Sequence, residues 1–552
     1  MRVHRPGDMS PVEMGFHRQK PVRWLNPRLL IRTGISAGLA YALGGYLDKR
    51  ELQAALPDIA FDHRTSDELW LDFTADGGDG FDATYSIAYL IAQPEVAPAG
   101  VTAPLPRGEV LVLGGDQVYP AASAKRYEDR WKGPYRAALP EKIPDSPTIY
   151  ALPGNHDWYD GLTAFLRLFA QQDPVGGWNT AQHRSYFALK LPHRWWLLAI
   201  DIQLDSYIDE PQLDYFRKVA SELGEDDRII LVPARPAWAM AHNYPEAYDN
   251  IDYFIRTVLE PTRARIPIIL AGDKHHYSRY AGPGPDGTGR QLITCGGGGA
   301  YLTSTAHLPG EVTVPPKDTV VRAASTPRTY QQQASYPSRA TSRQLGWGIF
   351  GRLPLKNPGF VGLVGLMQTL LMLAIVAGEG QWFTAPIGFA VAAVVAGTYL
   401  FAVLMGRHGP RHQVAGVLHA VPHVALGALG AAVWSALPVS DLPTPWGTLL
   451  AFVLYLPVIG IIDTWIVGIY LLIASRFGIN INELHAGLGI DDYKCFLRMH
   501  IGTDGALTIY PIGLDRVGRE WRATPDAPAP ASWIEPTEPL ITHLIEAPVV
   551  VR

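Results

Sequence analysis

Residues 357–475 carry only five charged side chains, Glu379, Arg407, Arg411, Asp441 and Asp463. No other feature restricts the folding of the chain so strongly, because a run this long and this apolar exceeds what a soluble core needs. It divides into four segments, 360–377, 383–405, 414–437 and 447–474. Each is long enough to cross a hydrocarbon core of about 30 Å at about 1.5 Å per residue. The rest of the chain holds nearly all of the 47 Lys+Arg and 52 Asp+Glu, an ordinary density for a globular protein. The low charged fraction of 18% is therefore an average over two unlike parts.

The flanks orient the apolar block. Arg343, Arg352 and Lys356 precede the first segment, Arg407 and Arg411 lie between the second and third, and Arg476 follows the fourth. The other two loops carry Glu379 and Asp441 and no Lys or Arg. By the positive-inside rule, both termini and the polar part are expected on the cytoplasmic side of a multi-pass membrane protein. Asp463, inside the fourth segment, has two readings. It pairs with His419 or His423 of the third, or it lies near the cytoplasmic face or caps a helix broken after Pro457. The second is favoured, because 28 residues overrun the bilayer and Pro is tolerated in such helices. Residues 1–64 read as a basic segment with an amphipathic helix, and its apolar patch, 35–47, is too short and wrongly flanked for an export signal.

The modest net charge of -5 argues against a nucleic-acid-coating surface. Two cysteines exclude a disulfide-stapled scaffold and a Cys-rich zinc module. Between about 65 and 311 the pattern is short apolar runs that end abruptly in Gly, Asp, Asn or His, as buried strands of an α/β sheet do. Run 69–74 leads into Asp76-Gly77-Gly78, and run 109–113 into Gly115-Asp116-Gln117-Val118-Tyr119. Run 148–152 leads into Gly154-Asn155-His156-Asp157, and 228–232 into Pro233-Ala234-Arg235-Pro236. Run 266–270 leads into Gly272-Asp273-Lys274-His275. Groups just past strand ends sit where α/β sheets build their sites. Carboxylates, an amide oxygen and imidazoles suit Mn, Fe or Zn ions and the hydrolytic chemistry of a metal centre.

The order Asp-x-Gly, Gly-Asp-x-x-Tyr, Gly-Asn-His-Asp and Gly-x-x-His resembles the calcineurin-like metallophosphoesterases over residues ~65–310, and Asp76-Gly77-Gly78 with Gly115-Asp116-Gln117-Val118-Tyr119 is most similar to their purple-acid-phosphatase branch. The resemblance implies an α/β fold, a two-sheet sandwich flanked by helices, with two divalent or mixed-valence metal ions. It implies Asp76 and His275 on the first metal, Asp116 bridging both, and Asn155 on the second. Tyr119 falls at a tyrosinate position, His156 would stabilise the phosphate or protonate the leaving oxygen, and Asp157 would orient its neighbours.

Two departures accompany the match. Ala234 stands where the family has a metal-binding His, and Asp273 stands where it has the first His of Gly-His-x-His. Asp273 is then a carboxylate ligand in place of imidazole, and Arg235 is a candidate for holding a substrate phosphate. The expected organisation is a phosphoesterase domain at 65–311, a flexible linker at 312–356, the spans within 357–476, and a small β-containing tail at 477–552. The expected function is hydrolysis of a phosphate mono- or diester, lipid-derived or membrane-adjacent, by a membrane-tethered enzyme. The alternative is a degenerate domain that senses a ligand or metal and regulates the membrane region.

Overall fold

The computed structural model describes residues 11–43, 50, 53–202, 207–242, 244–283, 289–316, 325–378, 384–403, 409–524 and 530–552. The chain forms two compact units. One comprises Met1–Val22, Thr33–Arg339 and Asp491–Arg552, and the other Arg23–Arg32 and Ala340–Ile490.

The first unit is mixed α/β. Its strands are β1 (Leu69–Thr74), β2 (Val110–Leu113), β3 (Thr148–Ala151), β4 (Phe187–Leu191), β5 (Trp195–Ile200), β6 (Arg228–Pro233), β7 (Arg265–Ala271), β8 (Tyr277–Ala281), β9 (Gln291–Cys295), β10 (Arg328–Tyr336), β11 (Lys494–Ile501) and β12 (Leu507–Leu514). One sheet runs in the order β12-β11-β1-β2-β3, with short strands at both edges. The other runs β4-β5-β6-β7-β9-β8-β10, also with short edge strands. β1, β2 and β3 are parallel neighbours, as are β5, β6 and β7. Such strands are covered on both faces, which is why they read as continuous apolar runs. Leu71, Phe73, Val110 and Val112 of the first sheet share one buried cluster with Leu197, Ile230, Val232, Ile268 and Leu270 of the second. The parallel strands end on the loops that carry the candidate residues, and helix α1 (Phe81–Ala92) follows the first of them.

Two parts of the expected organisation differ. The stretch read as a linker contributes β10, paired antiparallel to β8 on one side and to Glu311–Val314 on the other. Its Arg-Thr-Tyr-Gln-Gln-Gln-Ala-Ser-Tyr sequence looks like coil because only Tyr330 and Tyr336 anchor it, the remaining side chains being exposed or half-buried. The C-terminal tail, from Asp491 onward, belongs to the first unit. β11 pairs antiparallel with β1 and with β12, so the unit extends well beyond 65–311 at both ends.

Among its described residues the second unit contains four helices long and apolar enough to cross a membrane, Pro358–Ala377 (α2), Ala385–Val403 (α3), Pro410–Ala436 (α4) and Pro445–Ser475. The last has a π-helical turn at Ala451–Tyr455 before its longest regular stretch, Leu456–Ser475 (α5). Asp463 is neither at a helix end nor a cap. It lies inside α5 and is bonded to His423, the less favoured of its two sequence readings. The apolar patch at 35–47 forms part of a helix over Pro27–Leu43, and its remainder lies outside the described residues.

Candidate metal centre

Asp76, Asp116 and Asp273 follow β1, β2 and β7, and all three have left-handed backbone angles, φ 60, 53 and 65°. Asp tolerates that region better than most residues, at a cost of about 1–2 kcal/mol. Three such turns at the ends of strands hold carboxylates in fixed directions.

The centre of the site is the Tyr119 hydroxyl. It lies 2.9 Å from Asp76 Oδ1, 3.2 Å from Asp116 Oδ2 and 3.0 Å from His275 Nε2. His275 places its Nδ1 2.7 Å from the Tyr301 carbonyl. A carbonyl only accepts, so Nδ1 carries the proton and Nε2 is the acceptor nitrogen of the neutral ring. Tyr119 thus has one proton for three acceptors. Asp76 Oδ2 is also buried without a hydrogen-bond partner among the described residues. Burial, followed by the charges of Asp116 and Asp273, drives the Asp76 pKa well above its ordinary value. Burial and then Asp273 push Asp116 up to about 7. Burial lowers His275 to about 3, which keeps it neutral.

An excess of buried acceptors is what a cation would satisfy. Asp76 Oδ1, Asp116 Oδ2 and His275 Nε2 all lie within 2.9–3.2 Å of Tyr119 Oη, with His275 Nε2 3.7 Å from Asp76 Oδ1, so four possible donor atoms share one small space. Among the described residues, no group of three or more His, Cys, Asp or Glu side chains is disposed by itself to hold a metal ion. The fit depends on the tyrosine oxygen as a fourth donor beside Asp76, Asp116 and His275.

The second half of the expected ligand set is not drawn together in this way. Asn155 donates its amide to Tyr159 Oη at 2.8 Å. Asp273 is paired with Lys274 Nζ at 3.0 Å. Burial raises the Asp273 pKa, but Lys274 and Arg235 outweigh it and the net shift is downward. Ala234 is packed in the cluster shared by the two sheets. The donors present therefore form one cluster of four, Asp76, Asp116, Tyr119 and His275, from which Asn155 and Asp273 are drawn away by other partners.

His156 is half-buried beside this centre, its ring 4.5 Å from that of Tyr119. Its backbone N–H donates to Asp116 Oδ1 at 2.9 Å, and its Nδ1 sits 2.6 Å from the Pro120 carbonyl. Nε2 is then the acceptor nitrogen of the ring, and burial holds the pKa down at about 4. Asp157 is wholly buried and accepts from Gly154 N–H (2.9 Å), Gln117 N–H (3.3 Å) and the Tyr127 hydroxyl (2.5 Å). It clamps the loops after β2 and β3 together and is a positioning residue. Arg235 is 8% exposed after β6.

Close approach fixes two glycines. A Cβ on Gly154 would sit 2.0 Å from Asp116 Oδ1, and one on Gly296 2.3 Å from Asp76 Oδ2. Gly296, the first of the four glycines after β9, therefore packs directly against the Asp76 carboxylate. Sequence reasoning missed Lys494, at the start of β11, which is fully buried and donates to the Ala300 carbonyl at 2.6 Å beside this run. A lysine in a C-terminal strand gave no signal of that position.

No family model matches the chain, and no curated protein does. Solved structures that align with part of it include two phosphatase-related ones by name, a purple acid phosphatase and PhoD. The purple acid phosphatase PPD1 isolated from yellow lupin (Lupinus luteus) seeds is 12% identical, with 50% of this chain and 48% of that chain covered and a TM-score of 0.32. PhoD is 10% identical, with 43% of this chain and 58% of that chain covered and a TM-score of 0.27. The chain thus spans about half the length of the structures it matches.

Proposed function

We propose that the first unit is a metal-dependent phosphoric ester hydrolase tethered to a membrane by the four apolar helices of the second. The observation that carries this reading is the convergence of Asp76, Asp116 and His275, from three strand ends, on the Tyr119 hydroxyl. These four residues would hold one cation. Asp116 with Asn155 and Asp273 would hold a second if a bound ester or ion draws them in, which is the dinuclear form of the proposal. Bound cations supply neutralisation of phosphate charge and a more acidic water.

The protein's own groups prepare the rest. Asp157 fixes the Gly154–Asp157 loop against the Gln117 backbone, so that His156 keeps its ring beside Tyr119. In the resting state His156 is neutral, and its Nε2 accepts a proton. An anionic ester next to the ring raises its proton affinity, which makes Nε2 the donor to a leaving oxygen. Arg235 and Lys274 bring positive charge to the same strand ends, suited to a phosphate. The four apolar helices and their basic flanks support a substrate near a bilayer, on the cytoplasmic side, and a lipid-derived phosphate ester is the class proposed.

The test uses the full chain in detergent, stripped with a chelator and reloaded with Mn, Fe or Zn, against model mono- and diesters. Turnover that depends on added metal and falls in Asp116→Asn and by about 10²–10⁴ in His156→Ala supports the proposal. Turnover indifferent to both substitutions removes it. A second reading, a ligand- or metal-sensing domain that regulates the spans, draws on Ala234 and on the Lys274-bound Asp273. Metal binding without turnover under any ion would favour it.

A further inference from the structure

The spans carry a chain of hydrogen-bonded polar groups that anchoring does not require. Within them the only Asp, Glu, Lys or Arg residues are Arg411, near the start of α4, and Asp463. Asp463, His423, His419 and Gln368 are 1–5% exposed. His419 and His423 are four residues apart and so share one face of α4. His423 Nδ1 is 2.6 Å from Asp463 Oδ1, and His423 Nε2 is 3.0 Å from His419 Nε2. Gln368 of α2 donates to Asp463 Oδ1 at 2.9 Å and to the His423 carbonyl at 3.0 Å. Among the described residues, titratable groups facing the set include Tyr470, stacked on His419 at 3.7 Å, and Tyr455 of the π-helical turn, which interacts electrostatically with Asp463. α2 contributes Gln368, and α3 presents Phe401 to His419.

The directions of these bonds are fixed by chemistry. An ionised Asp463 only accepts, so His423 donates from Nδ1. His423 Nε2 then accepts from His419 Nε2–H, and His419 Nδ1 is left as a lone-pair acceptor. That nitrogen is buried and has no hydrogen-bond partner among the described residues. His419 also lines a groove of about 910 Å³ between α4 and α5, whose wall includes Arg411 and Tyr470. From Arg411 to His419 is about 12 Å along the helix, so the groove leads from a span end toward the interior.

We propose that this chain is a proton-binding site inside the four-helix unit, with His419 as the entry point and Asp463 as the terminus. A proton from hydronium forms an N–H bond at His419 Nδ1 while the Nε2–H bond breaks. That proton forms N–H at His423 Nε2, the Nδ1–H bond breaks, and O–H forms on Asp463. Both imidazoles exchange tautomers and remain neutral, and the buried anion becomes a neutral acid. This removes the charge that is costly in an apolar medium. The proposal rests on reading these helices as membrane spans and not on the phosphoesterase reading.

The test is infrared difference spectroscopy of the full chain in lipid nanodiscs, between alkaline and acidic pH. Wild type is expected to gain a protonated-carboxyl band that Asp463→Asn lacks. His419→Gln, which leaves the His423–Asp463 pair intact, is expected to shift the pH midpoint of that band and serves if Asp463→Asn fails to fold. Identical spectra for wild type and Asp463→Asn, or an unmoved midpoint in His419→Gln, would show static helix–helix bonding and overturn the proposal. Recovery of the chain from cells in buffer without detergent would overturn the membrane reading and the proposal with it.

Discussion

Arg498 and Asp72 form a two-pronged ion pair, with Nε 2.8 Å from Oδ1 and Nη2 2.9 Å from Oδ2, at 0% and 1% side-chain exposure. The partners are 426 positions apart, on either side of the four apolar helices in sequence. Arg498 also donates to the Leu105 carbonyl at 3.0 Å. The pair bolts β11 to β1, the strand that leads into Asp76. The C-terminal segment is therefore part of the sheet that positions the site.

Removing one partner of such a pair leaves a buried charge uncompensated. Arg498→Ala is expected to destabilise the first unit by about 3–5 kcal/mol, and Arg498→Met with Asp72→Leu to recover most of it. Chemical denaturation of the full chain in detergent, followed by tryptophan fluorescence, checks both. A piece cut before residue 345 lacks β11 and β12 and is expected to remain insoluble or unfolded. A soluble, cooperatively unfolding piece would contradict the role given to these strands.

Legibility in the sequence followed the physics of each element. β2 and β7 are buried on both faces, so runs such as 110–113 and 266–270 announce themselves, and their terminal Asp and His residues mark the site. β10 is anchored by only two tyrosines, and its Gln-rich face gives no such pattern. Arg498 and Lys494 are cations whose burial depends on partners hundreds of residues away. The bond between His423 and Asp463 depends on how α4 and α5 are rotated, which apolar composition does not record. The left-handed turns at Asp76, Asp116 and Asp273 were equally silent, because Asp is common in ordinary loops.

Gly154 has room for no side chain. Gly154→Ala puts a Cβ within about 2.0 Å of Asp116 Oδ1, so the carboxylate must turn away and the His156 N–H loses its acceptor. Metal-stimulated turnover is expected to fall at least tenfold, with the far-ultraviolet circular dichroism unchanged. Wild-type activity in this variant would show that Asp116 is not held as described.

Metal content tests the two halves of the proposed centre separately. After extensive dialysis the full chain is expected to retain close to one transition-metal ion per chain. Asp76→Asn, Asp116→Asn and His275→Ala should each lose it, and Tyr119→Phe should weaken retention. Asp273→Asn, which alters a carboxylate already committed to Lys274, should leave it largely in place. Elemental analysis of the dialysed proteins provides the check, and equal loss in Asp273→Asn would put that residue in the tight site.

The metal-free protein should carry a pH signature of its crowded carboxylates. Burial and the neighbouring Asp273 push the Asp116 pKa from 3.8 up to about 7, so the folded state should bind its proton more tightly than the unfolded state. The favourable contribution is complete below pH ~4 and is lost as pH rises toward 7. Over that window the loss is at most about 4 kcal/mol, at about 1.4 kcal/mol per pH unit. His156 and His275, with pKa values lowered to about 4 and about 3, act in the opposite sense below pH ~6.5, so the wild-type curve alone does not isolate the carboxylate. The difference between Asp116→Asn and wild type does, because the histidines are common to both. Relative to wild type, the metal-free Asn variant should gain stability as pH rises from 4 to 7. Added cation should abolish that gain by stabilising the ionised Asp116. Thermal unfolding of both proteins at several pH values, with and without metal, tests this, and parallel curves would show that Asp116 is not ionising in the buried site.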